Sequence, residues 1–177
     1  MLNTGFPRAD IDNAFLRARR RQVLAALCRW LRGQGFDSGR LLTLDEVVSP
    51  VGWRAGRPLG LRSIPLDTIV GTVDPRHDFD RHFRPTSNWV RPRWERLALA
   101  ERSGAAIPPI EVYRVGDRHF VSDGHHRVSI AAATGQRTID AYVTEIFTTV
   151  MPSGATLLDN LQPRLRPPGG PAEARRV

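Results

Sequence analysis

The sequence predicts an α+β fold in which a small sheet is flanked by helices, and three stretches carry this prediction. Residues 121–135, VSDGHHRVSIAAATG, read as the end of a strand, a tight glycine turn and a helix, because the apolar residues of the helix recur at helical spacing. Residues 111–122 read as two strands joined by a Gly116-Asp117 hairpin turn. Residues 10–32 have the apolar period of a long helix.

Shorter patterns predict the other elements. Glycine and arginine dominate the stretch around Trp53, which therefore reads as a loop, and Gly71 is expected at a bend or a close backbone contact. In chain order these elements are a helical turn or strand at 41–48, a loop at 51–62, a strand at 69–73, a helix at 89–103 and a strand at 138–147.

Composition bounds the class of protein. The chain has 177 residues, enough for one domain of ordinary size with tails, and 41% of them are hydrophobic. We find no run of about 18 apolar residues and no signal-peptide pattern, so the sequence predicts a cytoplasmic protein without a membrane span. The single cysteine, Cys28, excludes an internal disulfide and a cysteine-based metal cluster.

The formal net charge of +8 suggests a polyanionic partner such as DNA, but it supports DNA binding only weakly. All 26 basic residues are arginine, a uniformity that codon bias in a GC-rich genome also produces. Arg17, Arg19, Arg20 and Arg21 lie largely off the apolar stripe of the first helix. They could contact a polyanion, although a solvated helix face is the more common outcome.

The apolar stripe of the first helix predicts its core-facing side. Cys28 lies among apolar neighbours on this helix and is expected to be a small buried residue. The members of the stripe are Phe15, Val23, Leu24, Leu27, Trp30 and Leu31.

Residues 74–88, DPRHDFDRHFRPTSN, predict a surface loop anchored by Phe79 and Phe83. Polar and charged side chains surround the two rings, so the stretch suits neither a central strand nor an apolar helix. Loops with this chemistry often carry functional sites, and a solvated loop is the alternative.

The start of the helix within residues 121–135 is the candidate functional site. Gly124 precedes this helix, and His125, His126 and Arg127 occupy the first turn of the helix, where backbone N–H groups lack partners and the dipole is positive. Such a helix start is a sound anion site, above all for phosphate. A cation such as Arg127 is unfavourable there unless an anion joins it, which favours a phosphate role.

The histidines have separate predictions. His125 and His126 point in different directions from a helix, so one is expected to contact phosphate or act as an acid or base, and the other to pack or to hydrogen-bond to backbone. Zinc is disfavoured even with His77 and His82 as further ligands, because adjacent histidines lack the spacing of a helical zinc site. His119, on a hairpin strand, is expected to be structural.

Residues 64–147 resemble the ParB/sulfiredoxin superfamily, whose type member is the N-terminal domain of ParB-type partition proteins. IPLDTIV resembles the opening strand of the family, and TIDAYVTEI resembles its closing strand. IPPIEVYRVGDRHFVSDGHHRVSIAAATG resembles its unit of strand, hairpin, G-x-x-R turn and helix. The resemblance implies a small mixed sheet with flanking helices at 61–150, an N-terminal helical extension and loop at 1–60, and a disordered Pro/Gly/Arg-rich tail at 151–177.

The resemblance also implies a function. In this superfamily the G-x-x-R turn binds nucleotide phosphates: ParB binds and hydrolyses CTP, sulfiredoxin uses ATP, some members phosphorylate free serine, and nuclease activity has been claimed for others. The phosphates of CTP or ATP would be held by Asp123, Gly124, His125, His126 and Arg127, with Ser122 as an alternative to Asp123 at the end of the strand.

The loop at 72–84 matches the first conserved box of ParB and the position of an acidic catalytic group in the kinase members. Asp78 and Asp80 are then candidate catalytic residues together with His126, and Asp80 is a candidate Mg²⁺ ligand. Mg²⁺ needs only one or two carboxylates in addition to nucleotide oxygens, and Asp123 is a further candidate. Arg81 and Arg84 are candidate phosphate or DNA contacts.

The chain departs from the family at three points, the first being that ParB usually has acidic or basic residues where this chain has His125 and His126. His125 stands where sulfiredoxin requires a cysteine, so reduction of a sulfinic acid is not expected. We expect nothing after residue 147 to form the helix-turn-helix and dimerisation domains of ParB, so a DNA clamp that works by itself is not expected either.

Two functions of different classes remain open. The first is a nucleotide-binding enzyme, an Mg²⁺-dependent hydrolase or phosphotransferase. The second is a DNA-binding, nuclease or regulatory module in which the same anion site grips backbone phosphate. The two acids beside the phosphate site favour the enzyme, because carboxylates hinder backbone binding.

Overall fold

The computed structural model describes residues 7–32, 39–50 and 52–148, and these residues form an α+β fold with a six-stranded mixed sheet and four α-helices, which confirms the predicted class. A three-residue 3-10 turn at Leu66–Thr68 joins the second strand to the third. The elements in chain order are α1 (Pro7–Leu31), β1 (Leu42–Thr43), α2 (Leu44–Val48), β2 (Trp53–Pro65), β3 (Ile69–Thr72), α3 (Arg91–Arg102), β4 (Ile110–Val115), β5 (Arg118–Asp123), α4 (His125–Thr134) and β6 (Thr138–Thr148).

The strand order is β1-β3-β5-β4-β6-β2. β1, β3 and β5 run parallel to one another, whereas β4 is antiparallel to β5 and parallel to β6. The carboxyl ends of β1, β3 and β5 therefore lie at one edge of the sheet, beside the amino end of β4. α2 and α4 both begin at this edge, directly after β1 and β5, and edges of this kind commonly bind ligands in sheets with parallel strands.

Two apolar clusters hold the layers together. The larger one packs α1, α3 and α4 against one face of the sheet, and Phe15 meets Trp94 edge-on at 5.4 Å between ring centroids. Both of these rings are fully buried. The smaller cluster joins α2 to the opposite face through residues such as Val47 and Phe120. The face that carries α4 is thus the more deeply packed side, which fixes the start of α4 relative to the sheet.

The predicted loop at 51–62 is wrong, because most of it belongs to β2. This strand pairs with β6 from Trp53 opposite Thr148 to Pro65 opposite Thr138. A register shift occurs between Pro58 and Gly60, and Gly60 adopts a φ of +76°, which suits glycine. A composition typical of a loop is tolerated because β2 is an outermost strand of the sheet, and prolines and irregular backbone are common in outermost strands.

The predicted core stripe of α1 is wrong over most of its length, since four of its six residues are exposed. Phe15 is buried, whereas Leu24 is 61% exposed and Leu31 is 69% exposed, and Cys28 is exposed as well. Val23 and Leu27 are also exposed, and the side chain of Trp30 lies outside the described residues. Helical period shows which side of a helix is apolar but not how far the rest of the fold extends along it.

The remaining boundaries agree with the sequence within a few residues. The stretch at 41–48 contains both predicted alternatives, a two-residue strand followed by a short helix. The predicted disordered tail at 151–177 lies outside the described residues. Over the part of the chain that the structure describes, no helix has the length and apolar composition needed to cross a membrane.

Candidate functional site

The candidate site lies at the edge of the sheet where β5 turns into α4. Gly124 makes this turn with a φ of +106°, in the left-handed region that L side chains rarely adopt. A Cβ atom on Gly124 would lie 2.4 Å from Cγ2 and 2.8 Å from Cβ of Ile110. The tight glycine turn read from the sequence is therefore confirmed, and its geometry strongly disfavours any residue that has a Cβ atom.

The amino end of α4 has no side-chain cap. Gly124 occupies the N-cap position, and the first helical hydrogen bond runs from the Val128 N–H to the Gly124 carbonyl at 3.0 Å. The start of α2 differs, since Thr43 and Glu46 form a reciprocal capping box there. The N–H groups of the first turn of α4 are thus suited to an external anion.

His125 is the histidine that packs inward. Its Nε2 lies 2.8 Å from Oγ1 of Thr72, the last residue of β3, and its ring stacks on Phe79 at 6.4 Å between centroids. The Thr72 hydroxyl also lies 2.8 Å from the Asp74 carbonyl. Burial, with a smaller effect of the Arg76 charge, lowers the pKa of His125 to about 4. His125 is therefore neutral near pH 7.

His126 is half-buried and meets the same Phe79 ring edge-on, at 5.2 Å between centroids. Burial and then the charge of Arg93 lower the pKa of His126 to about 4, whereas Asp78 acts in the opposite direction. The two histidines thus have different surroundings, as the helical geometry predicts. His126 is the one beside charged groups that a ligand could reach.

The loop at 74–88 packs on the first turn of α4. Phe79 and Phe83 are 2% and 3% exposed, so both rings anchor the loop as predicted. Phe79 contacts both histidines, and Phe83 lies 6.2 Å from the His125 ring. The loop and the start of α4 therefore form one continuous surface.

The two predicted catalytic acids, Asp78 and Asp80, have different surroundings. Asp80 is 2% exposed, and its Oδ1 accepts the backbone N–H groups of His82 and Arg84 at 2.9 and 3.0 Å. Its Oδ2 accepts Nε of Arg84 at 2.9 Å and lies 2.8 Å from Nη2. Because both oxygens are engaged in holding the loop, the geometry favours a structural role for Asp80 over the predicted catalytic and Mg²⁺-binding roles. Asp78 is only half-buried and lies near His126.

Arg127 is turned away from the open end of the helix. Its guanidinium donates to the carbonyls of Pro108 and Pro109, the latter at 2.6 Å, and pairs with Asp123. Its side chain is 15% exposed, whereas that of Asp123 is 62% exposed. Arg127 thus ties the segment before β4 to α4 and supplies charge rather than a free guanidinium to the candidate site.

The predicted phosphate contacts Arg81 and Arg84 lie on the far side of the loop. Arg84 is committed to Asp80 and to the backbone carbonyl of Arg21 in α1, at 3.2 Å. Arg81 donates from Nε to Nε2 of His82 at 3.2 Å. These two arginines therefore face α1 and belong to a different surface from the start of α4.

Three residues of the site were missed by sequence reasoning. Thr72 contacts His125 directly, and the charges of Arg76 and Arg93 reach the first turn of α4. Arg76 lies in the loop at 74–88. It could have been found if the basic residues of that loop had been considered together with its acidic residues. Arg93 is brought near by the packing of α3 on α4, for which the sequence carries no local signal.

The structure provides no protein-only metal site among the described residues, since none of their His, Cys, Asp and Glu side chains form a group of three or more that could hold a metal ion. Mg²⁺ at this edge would need nucleotide oxygens to complete its coordination. His119, expected to be structural, is buried and hydrogen-bonds to Thr68 at 2.8 Å.

The site thus has the features of an anion-binding edge: an uncapped helix start after a required glycine, neutral histidines and nearby arginines. No protein-family model matches the chain, and no curated protein matches it either. The resemblance to the ParB/sulfiredoxin superfamily therefore rests on the motifs quoted above.

We expect folding stability to fall as the pH drops from 6.5 toward 4. Burial lowers the pKa of both His119 and His125 from 6.5 to about 4, so in this range the unfolded chain binds more protons than the folded one. Each histidine then removes on the order of 2 kcal/mol of stability by about pH 4.5. Glu46, whose pKa is lowered from 4.5 to about 2 chiefly by its hydrogen bond from Arg40, adds a further loss of stability that begins near pH 4.5 and continues to about pH 2. Urea unfolding at several pH values measures the effect, and a flat profile between pH 7 and about pH 4.5 would contradict it.

Proposed function

We propose that the edge formed by Thr72, the loop at 74–88 and the start of α4 binds the phosphate groups of a nucleotide, CTP or ATP, as the family resemblance implies. The observation that carries the proposal is the uncapped amino end of α4, with the charges of Arg76 and Arg93 within reach of its first turn. Backbone N–H groups and guanidinium groups are the usual partners of phosphate oxygens.

The protonation states of the histidines suit this role. With a pKa of about 4, His125 and His126 are neutral near pH 7 and can still offer N–H donors. His125 is already committed to Thr72, which leaves His126 as the imidazole available to a ligand. A bound anion also stabilises the protonated form of His126, so binding and protonation support each other.

The acids near the site favour a nucleotide complexed with Mg²⁺ over a bare anion. Asp74, Asp78 and Asp123 act electrostatically on the two histidines, and they would repel phosphate in the absence of a cation. One of these carboxylates would hold a magnesium ion together with phosphate oxygens, and the positive charge of the ion would offset this repulsion. Asp78, half-buried and beside His126, is the best placed of the three for the reaction itself.

The reaction that fits is transfer of the terminal phosphoryl group to water or to an acceptor hydroxyl. In this reaction the nucleophile's oxygen forms a bond to phosphorus, the bond from phosphorus to the bridging oxygen breaks, and the nucleoside diphosphate leaves. Asp78 would accept the proton of the nucleophile, and the α4 N–H groups with Arg76 would stabilise the charge on the phosphoryl oxygens. We therefore propose a nucleoside triphosphatase or a small-molecule kinase.

Arg76→Gln is expected to weaken nucleotide binding about tenfold, because one charge-assisted contact to phosphate is lost. Calorimetric titration with ATP, CTP and GTP, each with Mg²⁺, measures this. Arg96→Gln is the matched control, since Arg96 is an exposed arginine of α3, and its affinity should stay within about twofold of that of the original protein. If none of the three nucleotides binds at millimolar concentration, the proposal fails.

A DNA-binding or regulatory module is the second candidate. One observation favours it: residues 13–32 of the chain carry six arginines and no acidic residue, and Arg17, Arg20 and Arg21 are exposed. Binding of this kind is insensitive to sequence and falls steeply with salt. DNA affinity with a steep salt dependence, unaffected by Asp78→Asn, would support it over the enzyme.

A further inference from the structure

A second basic surface lies between α1 and the loop at 74–88, and it is referred to below as the basic cleft. It encloses about 250 Å³ and is lined by Arg17, Arg21, His82 and Arg84 over a floor of alanines from α1 and α4. Phe83 also lines the basic cleft, and its ring lies 6.2 Å from His125. Phe83 therefore stands between the basic cleft and the first turn of α4, so the two sites are distinct.

Among the residues that the structure describes, no carboxylate lines the basic cleft. The nearby carboxylate of Asp80 is 2% exposed and is already committed to Arg84 and to backbone N–H groups. Within the described part of the chain, no ion pair or hydrogen bond engages the Arg17 and Arg21 guanidinium groups, whereas the backbone carbonyl of Arg21 accepts Nη1 of Arg84 at 3.2 Å. Two guanidiniums without a partner among the described residues thus line the same cleft as the guanidinium of Arg84, which Asp80 holds in place.

Further arginines crowd the same region. The pKa of Arg81 is lowered by burial and then by the charge of Arg29, and that of His82 is lowered by burial and then by Arg84. Both pKa shifts show that several positive charges lie within electrostatic range of one another. The carboxylate of Asp80 is a counter-charge in this region, and it is already paired with Arg84. Such crowding is unfavourable in the folded state unless an anion joins it.

We propose that the basic cleft binds the phosphate or diphosphate group of a compact organic anion, independently of the site at α4. Arg17 and Arg21 are one helical turn apart, so both guanidiniums can reach the same group. His82 accepts a hydrogen bond from Arg81 at Nε2, which leaves the proton on Nδ1 and makes that atom a further donor. α1, the loop and α4 bound the cleft on three sides, which suits a compact phosphate better than an extended polymer.

Calorimetric titration with inorganic pyrophosphate at low salt tests the proposal. The double variant Arg17→Gln/Arg21→Gln is expected to bind at least about tenfold more weakly, since two charge-assisted contacts are lost. Arg20→Gln is the control: Arg20 lies on the same helix and is exposed, but it does not line the cleft. Its affinity should stay within about twofold of that of the original protein. Absence of binding at millimolar concentration, or equal weakening by Arg20→Gln, would overturn the proposal.

The histidine resonances in an NMR titration locate the bound pyrophosphate. Binding in the basic cleft raises the pKa of His82 and leaves His126 unchanged, because the anion offsets the neighbouring guanidiniums. If pyrophosphate changes the pKa of His126 alone, it binds at the α4 site, and the proposal for the basic cleft is wrong. If pyrophosphate changes the pKa of His82 but no nucleotide binds at the α4 site, only the proposed function is wrong. If a short single-stranded oligonucleotide binds the cleft and pyrophosphate does not, the phosphate belongs to nucleic acid and the compact-anion proposal is wrong.

Discussion

Gly124→Ala is expected to destabilise the protein by about 3 kcal/mol or more and to abolish nucleotide binding. The methyl group would have to adopt a φ of +106° and would lie 2.4 Å from Cγ2 of Ile110, in the interior beneath the turn. Relief of this clash requires the turn between β5 and α4 to move away from Ile110 in β4, which displaces the N–H groups that the proposed phosphate site uses. Urea unfolding measures the stability, and calorimetry with Mg²⁺ and the bound nucleotide measures the site.

Gly104→Ala is the matched control for this substitution. Gly104 also has a positive φ, +78°, but nothing lies within 4 Å of a Cβ built on it. The Gly104→Ala substitution should lower the stability of the protein only by the backbone strain, about 1 kcal/mol, and should leave nucleotide binding unchanged. If Gly124→Ala were no more harmful than Gly104→Ala, the close packing of the turn against Ile110 would be refuted.

Asp80→Asn is expected to lower stability by about 3 kcal/mol, because it removes the buried charge that pairs with Arg84 and weakens two hydrogen bonds to backbone N–H groups. The kcat of the folded fraction should remain close to that of the original protein, since Asp80 faces the loop and not the α4 site. Urea unfolding and turnover of the nucleotide under folding conditions measure the two quantities separately.

Asp78→Asn is the matched control, two residues away in the same loop, and the opposite result is expected of it. Asp78 is half-buried and its charge acts on His126, so its loss should change stability by less than about 1 kcal/mol and lower kcat by at least about 100-fold. A stable but inactive Asp80→Asn protein would show that the catalytic role read from the sequence belongs to Asp80 after all.

Local signals explain what could be predicted from the sequence. The strand, glycine turn and helix around Gly124 are set by residues adjacent in the chain, and Gly135 closes α4 in the left-handed conformation that glycine favours. The loop at 74–88 was recognisable because two Phe rings stand in an otherwise polar stretch, and both rings are buried.

Tertiary packing decided what could not be predicted. β2 has the composition of a loop and becomes a strand because β6 supplies a hydrogen-bonding partner along its length. Leu24 fits the same helical stripe as Phe15 but lies where the described fold leaves α1 uncovered.

The roles of the site residues show the same limit. Asp78 and Asp80 look equivalent in the sequence, but only Asp80 is enclosed by Arg84 and by backbone N–H groups. Arg127 has the position of a phosphate ligand in the motif, yet carbonyls of a distant segment, at Pro108 and Pro109, take its guanidinium. Spacing along the chain identifies candidate site residues, whereas burial and hydrogen bonding determine the role that each of them has in the folded protein.

The most direct test of phosphate binding at α4 is an NMR pH titration of the His126 imidazole, with and without saturating Mg²⁺ and nucleotide. In the free protein, burial and Arg93 hold the pKa of His126 at about 4. Phosphate at the start of α4 is expected to raise this pKa toward the ordinary value of 6.5, while His119, at the opposite end of β5, stays at about 4. A pKa of His126 that does not change when nucleotide binds would contradict the account.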